Sequence, residues 1–191
     1  MSQDNIYSDI MGELSAHYKE NKVDVFVPSL GKTCKFTPIS VKQHKDILKT
    51  DNDLLRAGLQ FNINVNKVIL DNSPTDDLLI TDRPAVLLAL KASHLNNNLS
   101  LIIDGERHEV DIKTHTEQFQ DIKFDDKHTS AVLNLDKFEV HCNIPTLGYD
   151  IHINEKIKAQ MQGNSTGSLA DSVGELFVYE MIKYITHVKS D

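Results

Sequence analysis

Tryptophan is absent from the 191-residue chain and aromatic side chains make up 6% of it, which counts against a sugar- or base-stacking platform. Cysteine is scarce. Cys34 and Cys142 are the two in the chain, a usage that fits a reducing compartment rather than a disulfide framework. No apolar run approaches the roughly 18 residues a transmembrane helix needs. The opening MSQDNIYSDIMGEL lacks the basic start and apolar centre of a signal peptide, so the expectation is a protein kept in the cytoplasm or packed into a particle assembled there. Positive charge is in deficit: the net charge is −8. That balance argues against nucleic acid and against an anionic membrane as partners. The acids are scattered rather than arrayed, so the acidity reads as solubility and not as DNA mimicry. Catalytic grammar is missing as well. There is no Walker loop, no G-x-S-x-G, no H-E-x-x-H and no paired C-x-x-C.

What is present is a repeat. VPSLGKTCKF, beginning at Val27, returns as IPTLGYDIHI, beginning at Ile144. Val23, Val25 and Val27 alternate with Lys22, Asp24 and Phe26, and Cys34 and Phe36 continue the alternation after the turn. In the second copy Phe138, Val140, Cys142 and Ile144 alternate with polar residues, and Ile151 and Ile153 follow. A one-residue slip would send an apolar set to the wrong face, so the shared phase predicts two hairpins on one plan. Their turns are Pro28, Ser29, Leu30 and Gly31, and Pro145, Thr146, Leu147 and Gly148. Proline sets the loop entry, and Gly31 and Gly148 can supply a positive φ. A third hairpin is expected at LSLIIDGERHEVDI, with Asp104-Gly105 as a two-residue turn between Leu101, Ile103 and Val110, Ile112.

Helical signals surround these strands. Ser40 with Gln43 makes a capping box ahead of Val41, Ile47 and Leu48. Thr81 or Asp82 can cap a helix that carries Pro84 in its first turn. Between them, Phe61, Ile63 and Val65 alternate like a strand, but the length of the stretch and its leucines favour a helix. Ile6, Ile10, Leu14 and Tyr18 form one helical stripe at the N-terminus. After the linker GNSTG, Ser168 is expected to cap a long C-terminal helix lined by Leu169, Val173, Leu176, Phe177, Met181, Tyr184, Ile185 and Val188. The fold class is α+β, antiparallel hairpins packed with helices. The expected units are an N-terminal arm (1–22), a hairpin with helices (23–96), a second hairpin-rich half (97–162) and the C-terminal helix (168–191).

Metal and catalytic readings are weak. His141 and Cys142 are strand neighbours and point to opposite faces, so with His152 they do not converge. Cys142 and Cys34 read as small core residues. His108 and His115 read as solvated, as do Asp76 and Asp77. Asp121, Asp125 and Asp126 lack the spacing and closing glutamate of a calcium loop. No cofactor and no metal is expected. The apolar helix residues at both ends form the candidate partner interface.

From about Val23 to Leu95 the chain resembles the baseplate hub proteins of T-even-type contractile-tailed bacteriophages. The carriers are Pro28, Leu30, Gly31, Phe36, Pro38, Ile39, Lys45 and the Asp82-Arg83 pair. The resemblance implies a non-enzymatic structural or assembly component of a tail baseplate, assembled in the host cytoplasm. Its implied partners are other baseplate or tail proteins and copies of itself. A transient assembly chaperone and a small enzyme using His141, His152 or Asp126 are the alternatives.

Overall fold

A computed structural model of the protein describes residues 21–49, 54–93, 98–122, 124–125, 129–163 and 169–190. Three separate antiparallel sheets lie among helices, an α+β arrangement. The sheets are β1 (Val23–Val27) with β2 (Lys32–Phe36), β3 (Asn98–Ile103) with β4 (Glu106–Asp111), and β5 (Ser130–Leu135), β6 (Phe138–Asn143) and β7 (Ile185–Ser190) in that order. The helices are α1 (Val41–Ile47), α2 (Leu54–Asn72), α3 (Arg83–Ala92), α4 (Ile112–Gln118), α5 (Leu147–Gly163) and α6 (Leu169–Ile182).

The core forms where alternation and helical period meet. Val25, Val27 and Phe36 from the first hairpin pack with Val65, Val68 and Ile69 of α2, Val86 and Leu90 of α3, and Leu147 of α5. Each such side chain stabilises the fold by roughly 1.5–3 kcal/mol on burial. The strand-like residues Ile63 and Val65 sit in a helix because that burial outweighs their intrinsic preference. The first hairpin turns through one 3-10 turn, Pro28–Leu30, and Gly31 at φ 59° donates its N–H to the Pro28 carbonyl at 3.1 Å. Ser40 and Gln43 form the expected capping box on α1. Asp104 and Gly105, both at positive φ, close the β3–β4 hairpin between Ile103 and Glu106. Ile112 is buried as the first residue of α4, a helix that Asp111 caps.

The second copy of the repeat is not a hairpin. β6 ends at Asn143, and α5 begins at Leu147. Thr146 Oγ accepts the Tyr149 N–H at 3.2 Å, so Thr146 caps a helix where Ser29 sits in a reversal. The cause lies downstream. Leu147, Asp150, Asn154 and Ile157 are all buried, at helical spacing, and Met161 continues the series half-buried. Two of those inward positions are polar, which hid the helical period behind the alternation of Ile151 and Ile153.

The C-terminal helix is shorter than its periodicity suggests. α6 stops at Ile182, Lys183 and Tyr184 turn the chain, and Ile185 and Val188 lie in β7. β6 supplies the reason, since its second edge takes β7 as partner, with Val140 opposite Val188 and His141 opposite His187. β-Branched Ile185, Thr186 and Val188 suit that ladder. On α1, Val41 and Leu48 are exposed rather than inward, and Ile47 alone of the three packs at the core margin. β5, which pairs with β6 around the turn Asp136-Lys137, and α4 carried no sequence expectation. The N-terminal stripe (Ile6, Ile10, Leu14, Tyr18) and the Ser168 cap lie outside the described residues.

Candidate functional site

Both copies of the repeated tetrapeptide converge on one segment, residues 78–82. On one side the buried Asp82 carboxylate accepts Ser29 N–H at 2.9 Å and Ser29 Oγ–H at 2.6 Å, along with Leu79 N–H at 2.8 Å. Asp82 therefore fastens the first turn instead of capping α3, while Pro84 stands in the first turn of α3 as expected. On the other side Ile80 N–H donates to the Pro145 carbonyl at 3.0 Å and Leu147 N–H to the Leu78 carbonyl at 2.8 Å. Pro28, Pro145 and Leu147 are buried, Ser29, Leu30 and Thr146 half-buried, and Gly31 and Gly148 exposed. The two turns are thus built into the fold, with their glycines at the surface.

Behind this segment lies a charged cluster that sequence reading missed. Asp150 is 1% exposed. Its Oδ2 accepts from Asn66 Nδ2 at 2.8 Å, Arg83 Nη2 at 2.9 Å and Asn154 Nδ2 at 3.1 Å, and its Oδ1 accepts from Lys183 Nζ at 2.9 Å. Lys183 also pairs with Glu180. Two cations thus face two carboxylates, the balance a buried ion cluster requires. Burial pulls the Lys183 ammonium down, but its hydrogen bonds to Asp150 and Glu180 outweigh that and raise its pKa above the ordinary 10.5. Asp150 is a clamp: one carboxylate ties α2, α3 and α6 to α5. The five residues are scattered from 66 to 183, and the only trace in the sequence is the polar pair Asp150 and Asn154 on the inward stripe of α5.

The surface carries the remaining candidates. On α6, Phe177 (67% exposed), Val178, Met181 and Ile182 face outward, and Leu176 is half-buried. Leu169 and Val173 belong to α6, with side chains outside the described set, and Tyr184 and Ile185 are half-buried beyond its end. On one face of the three-stranded sheet Leu133, Leu135, Phe138 and Val188 are exposed around the buried Val140. The opposite face is polar apart from the exposed Val132. His141 and His187 stack with centroids 3.8 Å apart. Glu139 Oε1 accepts from Lys189 Nζ at 2.8 Å and meets His141 Nε2 at 2.5 Å. Lys189 first, and His141 second, pull the Glu139 carboxyl down to about 2.

The other residues weighed for chemistry do not come together. His152 is exposed on α5, and Cys142 and His141 are neighbours on β6. Cys34 and Cys142 are half-buried free thiols. His108, His115, Asp76, Asp77 and Asp121 are exposed. Asp126 lies outside the described residues. Among the described residues no group of three or more His, Cys, Asp or Glu side chains is placed to hold a metal ion, and no helix is long and apolar enough to cross a membrane. No curated protein and no solved structure matches the chain. One family does match, described as T4 bacteriophage base plate protein, over residues 19–191.

Proposed function

Because this chain belongs to the T4 bacteriophage base plate protein family, we propose that it is a non-enzymatic structural or assembly component of a contractile-tail baseplate hub, put together in the host cytoplasm. It acts through contacts with other tail proteins. The observation that carries this reading is the outer face of α6, where Phe177, Val178, Met181 and Ile182 form one exposed apolar patch. Contiguous apolar surface rimmed by polar residues marks protein contact sites. Gly31 at the first turn, Gly148 on α5 and the exposed edges of the hairpins are further candidate contact points, as are Ile6, Ile10, Leu14 and Tyr18, which the sequence spaces at helical period. The Asp150 cluster supports the same reading. Its carboxylate is saturated by fixed donors and shut from solvent, so it holds helices together rather than reacting.

The test is capture of tail proteins by tagged chain in phage-infected cells. Phe177→Asp with Met181→Asp should leave folding within about 0.5 kcal/mol of wild type, because both positions are exposed. Co-purification of tail proteins should fall at least tenfold. Undiminished capture by the folded variant would count against the α6 face. Mass spectrometry of purified virions then separates a resident component, which is present, from an assembly chaperone, which is absent.

A further inference from the structure

Three groups converge on one atom. Asn66 Nδ2, Arg83 Nη2 and Asn154 Nδ2 all donate to Asp150 Oδ2, at 2.8, 2.9 and 3.1 Å. Each of the three has a second polar atom that is buried and unpaired: Asn66 Oδ1, Arg83 Nε and Asn154 Oδ1. Among the described residues these are all the buried side-chain nitrogens and oxygens without a hydrogen-bond partner. Both asparagines are 0% exposed. Folded proteins rarely leave a buried polar atom unpaired, because it has lost its water and gained nothing in exchange. Three around one carboxylate call for a common partner.

The cluster has no internal remedy. Turning either amide over would aim its carbonyl oxygen at the carboxylate and lose a donor. The guanidinium carries Nε–H and Nη2–H side by side on one planar edge. With Nη2 on Oδ2, the Nε–H points along the same side, past that oxygen. A two-pronged pair would send it to Oδ1, but Oδ1 takes Lys183 Nζ at 2.9 Å. An amide spans about 2.3 Å from nitrogen to oxygen, so both unpaired carbonyl oxygens lie within roughly 5.5 Å of Asp150 Oδ2.

One donor and two acceptors are the complement of a water molecule. We infer that the cluster holds one buried water, which accepts from Arg83 Nε–H and donates to Asn66 Oδ1 and Asn154 Oδ1. Three bonds is the usual number for a water inside a protein. Charge excludes an ion in its place. Arg83 and Lys183 already balance Asp150 and Glu180. A cation would meet two fixed positive groups, and an anion would face Asp150 and two carbonyl oxygens. The water ties α2, α3 and α5 together a second time, beside the carboxylate. It also gives positions 66 and 154 a physical reason to be asparagine. One end of the amide donates to Asp150 and the other accepts from the water. Aspartate there would set a second carboxylate against Asp150, and leucine would satisfy neither partner.

The test uses the full chain, labelled with nitrogen-15 in arginine. Its arginines are Arg56, Arg83 and Arg107, so Arg56→Lys and Arg107→Lys, both outside the cluster, identify the Arg83 Nε–H signal by elimination. In wild type this proton should exchange slowly with solvent and show a cross peak to the water line, with NOE and ROE of opposite sign. That sign marks a bound water and separates it from simple proton exchange. A high-resolution crystal structure should place one oxygen peak about 2.7–3.2 Å from each of the three unpaired atoms. A slowly exchanging Nε–H without the cross peak means a dry cluster and overturns the proposal. An Nε–H that exchanges freely with bulk water overturns it as well, because the site is then open. So does a peak that touches Arg83 but neither asparagine, or an anomalous signal there after a bromide or rubidium soak, which would name an ion.

Discussion

At the scale of single residues, Asp150 is the most heavily committed side chain. It accepts four hydrogen bonds from three neighbouring helices and its own, through Asn66, Arg83, Lys183 and Asn154. Asp150→Ala leaves Arg83 without its carboxylate and Lys183 with Glu180 alone, and should cost about 3–5 kcal/mol in urea unfolding. Lys183→Ala leaves Asp150 with three donors and should cost less, about 1–3 kcal/mol. The reverse order of severity would show that Asp150 is not the hub of the cluster. The pH dependence follows from Lys183. Its folded pKa is raised, so its contribution is fully present below 10.5, the unfolded value, and fades as pH climbs through the folded value. Alkaline titration of wild type should therefore lose stability above that point, and the Lys183→Ala chain should lose less over the same window.

Among the elements, the repeated P-S/T-L-G shows how far local sequence reaches. It was legible that both copies end a strand, because alternation up to Val27 and up to Cys142 is local. The path after each turn was not legible, because it depends on what the next residues bury. KTCKF has a β-strand to join, whereas Leu147, Asp150, Asn154 and Ile157 face α2 and the ion cluster. Two glycines test this directly. Gly31 sits at φ 59° with nothing within 4 Å of an added Cβ, so Gly31→Ala meets only backbone strain and should destabilise by about 1–2 kcal/mol. Gly148 lies in the first turn of α5, where an added Cβ meets only Thr146 Oγ at 4.0 Å. Gly148→Ala should therefore stabilise by about 0.5–1 kcal/mol. Thermal or urea unfolding of the two variants reads the opposite signs. Equal losses would return the second copy to a reversal.

For the whole molecule, the C-terminal stretch joins parts that are remote in sequence. Lys183 locks α6 to the body through Asp150, and β7 completes the sheet begun by β5 and β6. A chain ended after Tyr184 loses the β7 ladder and uncovers Val140. Hydrogen exchange should then show β5 and β6 unprotected while β1, β2, α2 and α3 keep their protection. Full protection of β6 in the shortened chain would show that β7 is dispensable. The sheet's apolar face and the α6 patch are exposed among the described residues.

Period and turn chemistry alone determined the first hairpin, the Asp104-Gly105 turn and the α1 capping box, and with them the α+β class. Each of these depends on residues within one turn or one strand of each other. Tertiary structure decided the rest: the helical second copy, the end of α6, the strand β7 and the Asp150 clamp. Those depend on partners up to more than a hundred residues away. A buried aspartate or a strand edge chooses its state by what it meets across the core, and no local pattern records that meeting.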